Sequence, residues 1–144
     1  MGDALEARMQ RLEDLVEINQ LFIDYIEFLD AGDAEAYAGL FAEEGEIVLG
    51  PGTRAKGHDE IVPLITKVVE GKVGNAFHIV SSPRIQLDGD TARCQVMWTV
   101  IEKDEAGKPY VTLMGRHFDR LIRENGRWRF LKRTGRLDIP TFGG

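Results

Sequence analysis

The chain has 144 residues, 43% of them hydrophobic, and a formal charge of −6 at neutral pH. That length fits one domain, residues 1–144, around a single core, and the acidic balance argues against a nucleic-acid or anionic-membrane partner. Cys94 is alone, which excludes an internal disulfide and a zinc site built on paired cysteines. No apolar run reaches the roughly 18–20 residues that span a bilayer, and the acidic, amphipathic start is unlike a signal peptide, so a cytoplasmic location is expected.

Residues 4–29 read as one long helix, with Leu5, Met9, Leu12, Val16, Phe22, Ile26 and Leu29 at helical spacing and Asp3 with Glu6 as a capping box. Ala31-Gly32 stops it, and Asp33 can N-cap a second helix over about 34–42 that Gly45 ends. Glu46–Leu49 is a short strand and Gly50-Pro51-Gly52 a turn. A third helix covers about 58–70, with Pro63 inside it. Four strand-like runs follow at about 77–87, 91–103, 109–123 and 127–138. They are separated by Asp88-Gly89-Asp90, Glu105-Ala106-Gly107 and Asn125-Gly126, each of which is hairpin chemistry. Helices followed by an antiparallel meander predict an α+β domain: a curved sheet wrapped around the long N-terminal helix, with two further helices, leaving a cone with an open, mostly apolar end. Lys and Arg crowd residues 116–136 in alternation with apolar residues, the pattern of a solvated strand face.

Only three histidines are present, and His78 begins a strand-like run 48 residues after Asp30 ends the first helix. A carboxylate that holds one imidazole nitrogen fixes the tautomer and stabilises the imidazolium that forms when the ring acts as a base. Tyr25, about 140° around the helix from Asp30, can flank the same pocket and donate its phenol to a carbonyl or a leaving group. Taken singly, each has a plainer reading: Asp30 could cap the Ala31-Gly32 turn, and His78 and Tyr25 could fill the core. His117 shares a strand face with Gly115 and Asp119 and lines the cavity if that face is concave. Trp98 and Trp128 read as sheet–helix packing, and His58 as a solvated residue at the start of the third helix. No two histidines are neighbours, so no metal site is expected.

The stretch Ile18-Asn19-Gln20-Leu21, Tyr25, Leu29-Asp30, Gly32-Asp33, Leu40-Phe41-Ala42 and Gly57, with Gly115-Arg116-His117-Phe118-Asp119-Arg120 and Gly126-Arg127-Trp128-Arg129-Phe130, resembles the SnoaL-like branch of the nuclear transport factor two-like superfamily. The resemblance runs over nearly the whole chain and implies the cystatin-like cone. It implies function less sharply, because one cone hosts dehydratases, isomerases, cyclases, hydrolases and binding domains. Members such as bile acid 7-alpha-dehydratase and scytalone dehydratase have an Asp–His dyad at the positions of Asp30 and His78, and the former also a helix tyrosine matching Tyr25. Their second acid, further along the sheet, has only Glu102 as a counterpart here, and Leu49 stands where ketosteroid isomerases carry their base.

The resemblance therefore implies a cofactor-independent lyase of the dehydratase type. Its substrate would be a small, apolar, cyclic or polyketide-like compound, with His78 as base, Asp30 as its orienter and Tyr25 as phenolic donor. His117, Glu102 and Asp119 are candidate substrate contacts. The alternatives are a cone that only binds a ligand or mediates oligomerisation, and an isomerase or polyketide cyclase using Asp119 or Glu102 as its acid. Relatives cover the outer sheet face by forming dimers or trimers. Apolar residues on both sides of residues 92–101 carry the same expectation here, and the tail Pro140–Gly144 either covers a pocket mouth or stays free.

Overall fold

The computed structural model describes residues 2–140, so the tail reading for residues 141–144 lies outside the described residues. Helix α1 (Gly2–Ala31) is followed by α2 (Ala34–Ala38), β1 (Phe41–Gly50), β2 (Thr53–Lys56), α3 (His58–Val68), β3 (Ala76–Asp88), β4 (Thr91–Lys103), β5 (Pro109–Glu124) and β6 (Arg127–Ile139). The six strands form one sheet in the order β2-β1-β6-β5-β4-β3. The predicted α+β cone is the observed architecture.

Helix α1 ends where backbone chemistry stops it. Gly32 takes φ +74°, its N–H donates to Leu29 O, and Asp33 N–H donates to Phe28 O, the paired bonds of a Schellman end. Those groups close the helix, which leaves the Asp30 side chain free for another task. Asp33 caps α2 as expected, accepting Ala36 N–H at 3.0 Å. Asp3 lies within the first turn of α1 rather than at its N-cap.

The long meander follows its turns. Asn125 and Gly126 both adopt positive φ, as a two-residue hairpin between right-twisted strands requires, and Gly89 does so in the turn after β3. Bulges bend the sheet: β3 carries one extra residue against β4 between Ser81 and Arg84, and β5 slips against β6 near Gly115 and Leu121. The concave face packs on Ile18, Leu21, Phe22 and Tyr25 of α1, with Val96, Leu121, Trp128 and Phe130 opposite.

Three expectations are corrected. α2 stops at Ala38, and Phe41 and Ala42 already belong to β1, whose parallel pairing with β6 buries both. Gly45 therefore ends no helix. It sits at an irregularity of β1 where a Cβ would crowd Ala42 O at 2.8 Å and Phe41 Cβ at 2.9 Å. The α1 residues read as one apolar stripe divide into two groups: Phe22 is buried and Ile26 and Leu29 partly so, whereas Leu5, Met9, Leu12 and Val16 face outward. Finally, Arg133 in the basic segment is fully buried rather than solvated.

Candidate active site

Asp30 and His78 meet. His78 Nδ1 lies 2.7 Å from Asp30 Oδ1, and the His78 backbone N–H reaches both carboxylate oxygens at 3.2 Å. The strand thus grips the carboxylate through main chain and ring together. With Nδ1 engaged by Asp30, Nε2 is the nitrogen left for a substrate. The side chains are 21% and 27% exposed, so the pair sits at a wall that a small molecule can reach.

His78 borders a cavity of about 310 Å³ lined by residues of α1, α2, α3 and the concave sheet face. Tyr25, Tyr37, His78, Trp98, His117 and Arg136 bring polar groups to its lining, while Leu29, Leu49, Ile65, Val68, Val100 and Leu113 make it mostly apolar. A second hollow of about 230 Å³ adjoins it and shares Leu29, Val68, His78, Val100 and Leu113. Asp30, Lys72 and Glu102 line that second hollow. The dyad therefore stands where the two hollows meet. A wider hollow of about 540 Å³, over Arg84, Arg93, Arg120 and Lys132 on the outside of the sheet, is lined by neither Asp30 nor His78.

A model described as SnoaL-like domain matches residues 10–134. The chain belongs to the SnoaL-like family. Among solved structures, an NTF2-like protein with a cystatin-like fold from Novosphingobium aromaticivorans is 27% identical, with a TM-score of 0.85 over 95% of this chain and 90% of its own. Rv3472, a protein of unknown function from Mycobacterium tuberculosis, is 25% identical with a TM-score of 0.82, covering 92% of this chain and 75% of its own. A Novosphingobium aromaticivorans protein provisionally described as a scytalone dehydratase shares the fold at 23% identity and a TM-score of 0.73, over 96% and 89% of the two chains. No curated protein matches the sequence.

In this SnoaL-like domain the floor of the cavity rests on a buried ion pair. Arg133 Nε donates to Asp119 Oδ1 at 2.9 Å and Nη2 to Oδ2 at 3.3 Å, with neither side chain exposed. The guanidinium lies 3.8 Å from the centre of the Tyr25 ring and 4.4 Å from that of Phe130, a cation over two aromatic faces. Burial lifts the Asp119 carboxyl to about 6, and Arg133 opposes that rise, so the pair is ionised at neutral pH. Asp119 does not line the inner cavity: it holds Arg133, which in turn supports Tyr25.

Tyr25 is buried, and its hydroxyl has no hydrogen-bond partner among the described residues. The same holds for Trp98 Nε1, His117 Nδ1 and Arg133 Nη1. Such unsatisfied buried groups are uncommon and call for a reason. Burial raises the Tyr25 phenol well above its ordinary value, so it stays protonated and can donate. Burial, then the charge of Arg133, keep His117 well below the usual histidine range, so its ring is neutral. Its edge meets Tyr25 at 5.8 Å between ring centres and Trp98 at 5.9 Å.

Glu102 is placed differently from the inner residues. It pairs with Lys72 at 2.6 Å at the second hollow, and that hydrogen bond lowers its carboxyl. Trp128 is packing, as expected, with its Nε1 bonded to Asp14. Trp98, read the same way from sequence, is instead a wall of the cavity. His58 is exposed, with its ring 3.0 Å from Phe41 O. Arg133 was missed by the sequence reading: the Asn125-Gly126 turn alone would set Asp119 opposite Lys132, and a slip of one residue between Arg120 and Leu121 brings Arg133 there instead. Among the described residues no group of three or more His, Cys, Asp or Glu could hold a metal, and no helix is long and apolar enough to cross a membrane.

Proposed function

We propose that the protein is an acid–base lyase that removes water from a small, largely apolar cyclic compound carrying a hydroxyl beta to a carbonyl. The observation that carries this reading is the 2.7 Å contact of His78 with Asp30 beside a chamber that also holds the Tyr25 hydroxyl. A chamber of about 310 Å³ suits a compound of one or two rings.

In this mechanism His78 Nε2 takes the proton from the carbon next to the carbonyl. Asp30 holds Nδ1–H and stabilises the imidazolium that results. Charge develops on the carbonyl oxygen, where Tyr25 donates a hydrogen bond, with neutral His117 or Trp98 Nε1 as further donors. The electron pair of the enolate then expels the beta hydroxyl, which leaves as water with the proton returned by His78. The ring ends neutral, and atoms and charge balance without a cofactor.

The test is incubation with a panel of cyclic beta-hydroxy ketones, read by mass spectrometry for loss of one water. Turnover is expected for the parent protein, with His78→Ala and Asp30→Asn each slower by at least about 10²-fold while their circular dichroism is unchanged. Tight binding of such compounds with no turnover by the parent would refute the enzyme reading in favour of a binding cone. Turnover that survives His78→Ala would remove the dyad from the chemistry.

A further inference from the structure

Three side chains that line the chamber each leave a buried polar atom without a partner among the described residues: the Tyr25 hydroxyl, His117 Nδ1 and Trp98 Nε1. Buried polar groups are rarely left so, and a bound substrate is what these three would meet. Two of them can adapt. The Tyr25 hydroxyl rotates about its C–O bond, and the neutral His117 ring can carry its one N–H on either nitrogen. Trp98 cannot adapt in that way. Its indole N–H only donates, so whatever satisfies it must be an acceptor brought to it.

The sheet sets the direction of that N–H. In the cross-strand register Trp98 stands between Val80 of β3 and Gly115 of β5. A Cβ at residue 115 would lie 2.8 Å from Trp98 Cε2, the ring atom bonded to Nε1. The indole therefore rests on bare backbone, in space that any other residue at 115 would fill. His117, on the same face of β5 as Gly115, stands beside it with ring centres 5.9 Å apart. The other tryptophan behaves differently: Trp128 Nε1 donates to Asp14 Oδ1 at 3.1 Å. An indole held in place by a glycine, with its N–H free at a chamber wall, is built to meet something that enters the chamber.

Counting lone pairs shows what is missing. A carbonyl oxygen has two and accepts two good hydrogen bonds. In the elimination proposed above, Tyr25 and His117 fill those of the substrate carbonyl, and the departing hydroxyl takes its proton from His78. Trp98 is left over. We propose that Trp98 is a specificity-determining residue whose N–H holds a further acceptor oxygen, so that the substrate is a ring compound with a second carbonyl in addition to the one beside the reacting carbon. This rests on the reading of the chamber as the substrate site and narrows the substrate class from ketones to diketones. A monoketone leaves the N–H buried against apolar surface, and an unmet buried donor weakens binding by about 10-fold.

Calorimetric titration of the full chain with two pairs of rings tests this: camphor against camphorquinone, and isophorone against ketoisophorone. Each pair shares a carbon skeleton and differs by one carbonyl, adjacent to the first in one pair and across the ring in the other. None carries a beta hydroxyl to lose, so binding is read without turnover. In at least one pair the diketone should bind about 10-fold more tightly, and Trp98→Phe should cut that advantage below about twofold while leaving the monoketone affinity unchanged. The chain has only two tryptophans, so nuclear magnetic resonance of the parent resolves both indole N–H signals. The diketone should move that of Trp98 downfield and leave that of Trp128 in place, a readout that decides alone should Trp98→Phe fail to fold. Equal affinities within both pairs, no binding of any of the four, an advantage that survives Trp98→Phe, or an unmoved Trp98 signal would each overturn the proposal. Absence of turnover on beta-hydroxy ketones would instead overturn the elimination and leave these affinities as they are.

Discussion

Replacing Arg133 by methionine tests whether the floor of the cavity works as described. Methionine fills a similar volume but leaves Asp119 fully buried without a partner. Removing one member of a buried ion pair costs about 3–5 kcal/mol, because the remaining charge keeps its desolvation penalty and loses its compensation. At roughly 2–4 °C per kcal/mol for a domain near this size, the melting temperature should fall by about 6–20 °C. The deficit should depend on pH with a defined sign. The folded Asp119 carboxyl is already raised to about 6 from its ordinary 3.8, and loss of Arg133 raises it further. A raised carboxyl favours the folded state most below the unfolded value and loses that contribution as pH rises through the folded value. The variant should thus be much weaker than its parent at pH 8 and approach it near pH 4. The double variant Arg133→Met with Asp119→Leu should recover most of the loss, since neither charge remains. Urea or thermal unfolding followed by the fluorescence of Trp98 and Trp128 measures all three proteins. A single variant within about 1 kcal/mol of the parent at pH 8, or a double variant no better than the single, would refute the reasoning.

Other outcomes follow from neighbouring groups. At Gly115 a Cβ would collide with the Arg136 carbonyl oxygen and the Trp98 ring, so Gly115→Ala should lower the unfolding free energy by roughly 2–4 kcal/mol, and a soluble variant of parental stability would contradict the packing. His117, held neutral in the fold, takes up its proton more readily when unfolded, so it removes stability as pH falls below about 6.5. His117→Gln should therefore flatten the decline in melting temperature between about pH 6.5 and 5, measured against the parent across the same buffers. Tyr25→Phe should leave the fold intact and remove the hydrogen bond proposed for the enolate oxygen, lowering kcat by about 10²-fold with a smaller change in KM.

The four long strands were legible because their turns are chemically explicit: Gly89 and Asn125-Gly126 supply the positive φ that hairpins need. The end of α1 was legible for the same reason at Gly32. β2 and the first half of β1 were not, since Leu40-Phe41-Ala42 suits a helix end as well as a strand start, and the decision comes from parallel pairing with β6, far along the chain. In α1 the apolar residues occupy so much of the circumference that one stripe could be drawn where two exist. For the site, the Asp30–His78 contact followed the expected pattern, but the backbone grip on Asp30 has no sequence signature. Arg133 was hidden because a charged residue in a basic segment looks solvated, and only the register that opposes it to Asp119 makes burial tolerable.

The parallel pairing of β1 with β6 has a consequence for how the chain acquires its chamber. β1 spans Phe41–Gly50 and β6 spans Arg127–Ile139, so the contact that closes the sheet joins segments far apart in the chain. Contacts of that kind are slow to form, because the loop entropy is lost before the pairing compensates it. Gly135, Arg136 and Leu137 of β6 also wall the chamber. Asp30 and His78 come from α1 and β3, earlier in the chain, whereas the walls around them are completed only by β6. The dyad thus draws its two members from α1 and β3, whereas its container also needs β6.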